Sequence, residues 1–297
     1  MIKPNRIKNS LWSEKYRPQT LEECCLPERI YKPIQGYLNN KDIPHLFFSG
    51  PAGTSKTTLA KVICYELGAD SMFIDASSDS GKAMIQSDVV PFASTISLGT
   101  TGVPKIVIFD ESDGLTSMAQ QSLRPIIEKY SLGTRFIFTC NFPQKIIDPI
   151  KSRCVCFNFN VTKEETNKVM SLFFKRIQNI LKKEEKIDFD KKALGLVINN
   201  LFPDYRRIMN TLQTYAMSNS IIDEGIVTFV SRSSLAQTLY PLIKEKKFND
   251  LRKLIAESVY SPEEIYDALY KNMEDYIQDK MIQAQFILIL GKYAYQQ

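Results

Sequence analysis

The sequence predicts an α/β domain built on a parallel sheet, followed by a helical lid and a helical collar domain. Three observations carry that expectation. Five short apolar runs lie in the first 160 residues: "HLFFS" (45–49), "MFIDA" (72–76), "KIVIFD" (105–110), "RFIFTC" (135–140) and "CVCFNF" (154–159). Helix-like stretches such as "KTTLAKVICYEL" and "SMAQQSLRPIIEKY" separate the first four. Strands alternating with helices point to a parallel sheet covered on both faces. From Val161 the texture then turns helical throughout.

Each part follows in order. Residues 1–160 hold the strands, and ligands of such sheets bind beyond the strands' carboxyl ends. Thr162-Lys163-Glu164-Glu165 forms a capping box that opens "ETNKVMSLFFKRIQNILKKEEK". "KKALGLVINNL" and "DYRRIMNTLQTYAMSN" follow, giving a small helical domain over 161–229. Residues 230–297 are again helical. There Ser261-Pro262-Glu263-Glu264 sets an N-cap, a Pro at N1 and a Glu at N3 ahead of "IYDALYKNMEDYI".

Composition narrows the function classes. Hydrophobic residues make up 44% and charged residues 24% of the 297 positions, which is globular composition for two or three modest domains. The net charge of +5 permits contact with a polyanion without requiring it. No apolar run approaches the roughly 20 residues of a membrane span, and "MIKPNRIKNSLW" has no apolar core of a secretory signal. The cysteines are 24, 25, 64, 140, 154 and 156, and the one histidine is His45. Neither the adjacent pair nor Cys154-x-Cys156 has zinc spacing, so the latter reads as two small apolar residues of a buried strand. Free cysteines fit a reducing cytoplasm. A single histidine leaves little room for Ser/His/Asp or Cys/His catalysis.

The stretch that carries chemistry is "SGPAGTSKTT", from Ser49 to Thr58, between the first apolar run and a helix. Gly50, Pro51, Ala52, Gly53, Thr54, Ser55, Lys56, Thr57 and Thr58 follow the layout of a phosphate-binding loop. In such a loop, backbone N–H groups converge on phosphate at a helix N-terminus, Lys56 adds a charge, and Thr57 offers a hydroxyl to Mg²⁺. One position departs, because Ser55 stands where the pattern has glycine. A chance glycine turn before a helix is the bland alternative. The run "KIVIFDESD" weakens that alternative by placing Asp110 and Glu111 at the end of the third strand. Asp110 suits holding Mg²⁺ through water, and Glu111 suits deprotonating an attacking water. Taken alone, the two acids also fit a solvated turn.

Two further residues are candidates. Asn141 follows the fourth strand and can position the hydrolytic water, although asparagine there also forms turns. Arg206, in "FPDYRR" at a helix start of the second domain, can reach the nucleotide, or serve solvent or an ion pair.

Together with "WSEKYRP" (12–18), "FDESD" and "SRC" (152–154), these motifs resemble the AAA+ ATPase subunits of sliding-clamp loaders, the replication factor C type. The likeness covers nearly the whole chain and is greatest to the large subunit of T4-type phage clamp loaders. "W-x-E-K-Y-R-P" and "S-R-C" are particular to clamp loaders, whereas many P-loop enzymes share the loop and acids. The resemblance implies an ATP and Mg²⁺ site with Lys56 and Thr57 on phosphate and metal. It makes Asp110 the metal residue, Glu111 the catalytic base, Asn141 sensor 1 and Arg206 sensor 2. Arg153 resembles an arginine finger acting in trans on a neighbouring subunit. Tyr16, Arg17 and Pro18 fall where relatives line the adenine pocket. The implied fold is a RecA-like domain, a lid and a collar that joins five subunits, copies of this chain with a different small subunit, in an open ring. The implied partners are a sliding clamp, primer–template DNA and, indirectly, a DNA polymerase. The implied location is the cytoplasm, here of an infected bacterial host.

The departures from the family pattern sharpen the expectations. "SSDSGKAMIQSDV" (77–89) departs from the relatives' N-A-S-D-x-R-G-I pattern near DNA, leaving Lys82 as the basic candidate. Pro125 should kink the helix after the acids or force it to restart. Gln120 and Arg124, four apart on one helix face, can bridge to the neighbour or the phosphate loop, or form a solvated pair. The leading function is ATP-driven clamp loading. A scaffold subunit that does not hydrolyse ATP is the alternative, favoured only by Ser55. Another AAA+ motor, such as a branch-migration helicase, would lack the "SRC" and "EKYRP" segments.

Overall fold

The computed structural model describes residues 11–78, 81–95, 102–232, 235–257, 262–271 and 273–294. They divide into two compact units, Met1–Ile221 and Ile222–Gln297.

The first unit opens with α1 (Trp12–Lys15) and α2 (Glu28–Asn40). The central run is β1 (Leu46–Ser49), α3 (Lys56–Leu67), β2 (Ser71–Asp75), α4 (Lys82–Met84), α5 (Val90–Ser94), β3 (Lys105–Asp110), α6 (Ser117–Lys129), β4 (Thr134–Cys140), α7 (Asp148–Lys151) and β5 (Val155–Asn158). All five apolar runs are strands of one parallel sheet, in the order β2-β3-β4-β1-β5. That order puts β1, which feeds the phosphate loop, beside β4, and β4 beside the acid-bearing β3.

Strand residues alternate between two cores. Leu46, Phe48, Ile106, Ile108 and Ile137 face α2 and α3, where they meet Ile30, Ile34, Leu59 and Ile63. Phe47, Val107, Phe109, Phe136 and Phe138 face the other way, onto Leu123, Ile126 and Ile127 of α6. Phe109 and Phe138 stack with ring centroids 5.2 Å apart. A strand buried on both faces needs apolar residues at every position, which is why these runs do not alternate in sequence.

Two expectations change here. Helix α6 continues as one helix from Ser117 to Lys129 with Pro125 inside it, so the helix does not restart there. Pro125 is exposed, and its neighbours Leu123, Ile126 and Ile127 hold the helix to the sheet through their burial. The Cys154-x-Cys156 pair is not part of a buried strand: β5 is an edge strand, Cys154 is half-buried and Cys156 is exposed. An edge strand has a neighbour on one side only, so its outward residues stay open to solvent.

The lid helices complete the first unit. Helix α8 (Lys163–Asn179) starts at the expected capping box of Thr162 and Glu165 and continues into a π-helical stretch, Ile180–Glu185. Helices α9 (Lys191–Leu201) and α10 (Tyr205–Ser218) follow, the latter capped by the Asp204 carboxylate accepting from the Arg207 N–H at 3.0 Å.

The second unit contains α11 (Gly225–Arg232), α12 (Leu235–Lys244), α13 (Phe248–Glu257), α14 (Pro262–Lys271), α15 (Met273–Tyr276) and α16 (Lys280–Ala294). Leu239, Tyr240, Ile265 and Leu269 form its core, with the Tyr240 and Tyr276 rings stacked at 4.4 Å. Met281, Ile282, Leu288 and Ile289 of α16 are exposed. The expected N-cap Ser261 lies outside the described residues, although α14 does begin at Pro262. Among the described residues no helix is long and apolar enough to cross a membrane.

Candidate nucleotide site

The loop between β1 and α3 turns on three residues of positive φ: Gly50, Gly53 (76°) and Ser55 (71°). Ser55 therefore takes, as an L-residue, the left-handed conformation for which the usual pattern keeps glycine. Its hydroxyl makes no capping hydrogen bond to α3. Gly53 is required for a second reason. A Cβ there would lie 2.0 Å from Asp204 Oδ1, because the start of α10 rests on the loop. The Tyr205 N–H donates to the Gly53 carbonyl at 3.2 Å.

Lys56 is buried, and its ammonium donates to the carbonyls of Gly50 (2.8 Å) and Pro51 (2.7 Å) and to Asn141 Oδ1 (2.9 Å). Burial pushes its pKa down to about 8, with the carboxylates of Asp110, Asp113 and Glu111 pulling the other way. A buried cation held only by neutral oxygens, beside the N-terminus of a helix, favours an anion next to it. Thr57 Oγ1 donates to Asp110 Oδ1 at 2.6 Å. This hydroxyl and carboxylate are hard oxygen donors of the kind Mg²⁺ takes alongside phosphate and water. Among the described residues no cluster of three or more His, Cys, Asp or Glu forms a closed metal cage. The donor set thus fits a metal that brings its own phosphate and water ligands.

Glu111 is exposed and left-handed, with φ 49° and ψ 44°. Partial desolvation at the cleft edge, followed by the charges of Asp110, Asp75 and Asp113, raises its carboxyl above the ordinary range, and Arg206 opposes the shift. A single cleft gathers these groups. Tyr16, Arg17, Pro18, Ala52 to Thr58, Asp110, Glu111, Asn141 and Arg206 all line it. Gly50 and Pro51 stand behind it as carbonyl partners of Lys56.

Four predicted residues lie elsewhere. Lys82 is exposed at the start of α4. Arg124 is exposed on α6, but Gln120 is not on that face: it is 2% exposed and reaches neither solvent nor the phosphate loop. Its amide donates to the carbonyls of Leu115 and Lys145 and accepts from the Ile147 N–H, so it pins the 143–147 turn to α6. The shared-face reading failed because residues four apart sit about 40° apart around a helix, enough to straddle the edge of the core. Arg153 precedes β5, whose first residue Val155 pairs with Leu46, the first of β1. It therefore stands at the opposite pole of the sheet from the phosphate loop. There its guanidinium pairs with Glu128 and donates to the Pro149 carbonyl at 2.6 Å.

The comparisons with known proteins now bear on this geometry. Residues 46–163 match the model of the ATPase family associated with various cellular activities. Residues 165–228 match the AAA+ ATPase lid domain of the sliding-clamp-loader large subunit, and residues 5–83 match the Rad17 P-loop domain. The replication factor C small subunit of Archaeoglobus fulgidus is 32% identical over 295 residues, covering 95% of this chain and 90% of that protein. That of Staphylothermus marinus is 35% identical over 259 residues, covering 84% and 76%. The chain belongs to the replication factor C small subunit family of AAA+ clamp loaders. Among solved structures, the Thermotoga maritima RuvB Holliday junction branch migration motor superposes with a TM-score of 0.59 at 16% identity, covering 86% of this chain and 91% of that one. At that identity the likeness concerns the fold alone.

Several residues of the clamp-loader cleft were not legible in advance. Arg176 of α8 donates to the Tyr16 carbonyl at 3.0 Å and pairs with Glu23 at 3.3 Å. Glu185, in the π-helical stretch, holds both Lys15 and the Tyr16 hydroxyl. Burial and that carboxylate push the Tyr16 phenol up to about 12. The lid thus grips the segment that lines the cleft. Phe173 and Tyr205, with ring centroids 4.4 Å apart, add an apolar wall. No local pattern marks these residues, since each acts across more than 150 positions of sequence or from a lid helix that reads as an ordinary amphipathic one.

Proposed function

We propose that this chain is the ATP-hydrolysing subunit of a clamp loader that opens a sliding clamp and places it on primer–template DNA. The observation that supports this most is the two hydrogen-bonded pairs in one cleft, Lys56 with Asn141 and Thr57 with Asp110, within a chain whose lid is of the clamp-loader kind. A scaffold subunit that had lost hydrolysis would have no use for keeping all four with Glu111 beside them. In this reading Lys56 and the start of α3 hold the β- and γ-phosphates, and Thr57 and Asp110 hold Mg²⁺. Tyr16, Arg17 and Pro18 border the base. Mg²⁺, when bound, supplies charge neutralisation on the transferred phosphoryl group. Glu111 orients the attacking water and takes its proton, Asn141 positions that water, and Arg206 steadies the phosphate from the lid. Arg153 completes the site of the neighbouring subunit.

The division into an ATPase domain (1–160), a lid (161–229) and a collar (230–297) belongs to the same proposal. The exposed apolar residues of α16 fit a collar that packs against its neighbours. The proposed assembly is an open ring of five, with copies of this chain and a different small subunit. Its DNA contacts, Lys82 and Arg124 among the candidates, are made to the phosphate backbone. The lid match supports a large subunit, whereas a phage-type one working in the cytoplasm of an infected bacterium rests on the sequence resemblance alone, beside relatives that are archaeal and eukaryotic. The deciding experiment is ATP hydrolysis with and without clamp and primed DNA. Strong stimulation by the two together supports a loader, and no hydrolysis under any condition supports the scaffold alternative.

A further inference from the structure

Thr139, in β4, is 2% exposed. Its hydroxyl stands between the two acids. It donates to Asp110 Oδ1 and accepts the Glu111 backbone N–H at 3.2 Å. Its own carbonyl accepts from Ser112 Oγ at 2.8 Å, a bond buried in the core. The pairing of β3 with β4 runs only as far as Phe109 and Phe138. Past that point Glu111 turns left-handed and its N–H leaves the strand direction. The side chain of Thr139 meets it there in place of a backbone carbonyl.

The arrangement bears on chemistry for two reasons. A left-handed glutamate is uncommon, and such a conformation persists only where its surroundings hold it. Thr139 supplies that hold from the neighbouring strand, its hydroxyl accepting the Glu111 N–H and its carbonyl accepting the Ser112 hydroxyl. Asp110 Oδ1 meanwhile receives two hydroxyls, those of Thr139 and Thr57, which together fix the carboxylate's orientation. We infer that Thr139 is a positioning residue for hydrolysis, its hydroxyl setting the Glu111 backbone and the Asp110 carboxylate in one geometry. The inference rests on the proposed ATPase reading and adds a residue at the floor of the cleft that acts through Asp110 and Glu111.

The test compares Thr139→Val, which keeps the shape and removes the hydroxyl, with Thr139→Ser, which keeps the hydroxyl. The assembled loader is assayed for turnover with clamp and primed DNA, and the chain alone for ATP affinity. Thr139→Val should lower kcat by about 10–100-fold, as expected when a catalytic group is misplaced by an ångström or less. ATP affinity measured without Mg²⁺ should change less than about threefold, since Thr139 reaches the nucleotide only through Asp110, whose part in binding is to hold the metal, and through Glu111, which acts in the chemical step. Thr139→Ser should restore kcat to within about threefold of wild type. Amide hydrogen exchange at Glu111, read on the full chain without turnover, should accelerate in Thr139→Val and stay slow in Thr139→Ser. Wild-type turnover in Thr139→Val overturns the inference, as does a loss that Thr139→Ser fails to restore. If the wild type hydrolyses no ATP, the ATPase reading fails by itself. The exchange measurement still decides the hydroxyl's role, and equal Glu111 exchange in wild type and Thr139→Val overturns it.

Discussion

Replacing Ser55 by glycine should stabilise this protein, against the usual effect of a glycine at the start of a helix. Ser55 has φ 71° and ψ 19°, and its side chain makes no capping hydrogen bond that the substitution would remove. An L-residue in the left-handed region costs roughly 1–2 kcal/mol. The added freedom of an unfolded glycine offsets about 0.5–1 kcal/mol of the relief. The balance is a gain of about 0.5–1 kcal/mol, or about 1–4 °C in midpoint for a unit of this size. The assay is built into the chain. Trp12 is the single tryptophan, it is buried in the first unit, and its fluorescence reports the unfolding of that unit separately from the second. Ser55→Ala keeps the β-carbon and should melt with the wild type. An unchanged or lower midpoint for Ser55→Gly refutes the strain argument. ATP turnover should hold or rise in Ser55→Gly, and rescue from complete inactivity would restore the scaffold alternative.

Other substitutions probe the site and the fold. Glu111→Gln should keep ATP binding and lower turnover by about 10²–10⁴-fold, the usual span for a general base; wild-type turnover removes Glu111 from that role. Arg153→Ala should abolish hydrolysis in the assembled ring while the isolated chain binds ATP as before. Weaker ATP binding by that isolated chain would place Arg153 in its own site. Gly53→Ala should cost roughly 2–5 kcal/mol, from left-handed strain and from driving a methyl group into Asp204. Asp204→Ala in the same chain should return part of that loss in a double-mutant unfolding series. His45, the one histidine, accepts the Phe136 N–H on Nδ1 at 3.2 Å, and burial and the nearby Arg135 push its pKa down to about 4. Its contribution to stability is therefore full above the ordinary pKa of 6.5 and is lost as pH falls toward 4. The imidazole proton resonances should show that low midpoint, and titration near 6.5 would contradict the burial.

The middle of the sheet is readable because β1, β3 and β4 are buried on both faces and so write themselves as continuous apolar runs. The phosphate loop and acids were readable because their chemistry needs fixed residue types at fixed offsets from strand ends. What escaped has one physical character. Gln120 looked like a surface residue since nothing local shows that the 143–147 turn folds over it. Pro125 looked like a breaker since helix propensity is local, whereas the core under α6 outweighs it. Thr139, Arg176 and Glu185 act through partners distant in sequence, and β5 was misjudged because edge and centre strands differ only in how many neighbours they have.

The polarity of the sheet has a consequence for any assembly of such chains. The cleft lies at the carboxyl pole of the strands and Arg153 at the amino pole, so in the proposed trans arrangement each chain has an accepting end and a donating end. Used across a junction, Arg153 joins chains head to tail, giving a line with a direction. A line of n chains has n − 1 junctions. An unclosed array must therefore leave one accepting end empty and one guanidinium unused, and its terminal subunits differ from the rest although their sequences are the same. Asymmetry of that kind needs no second gene product: it is a matter of counting, set by five strands that all run the same way.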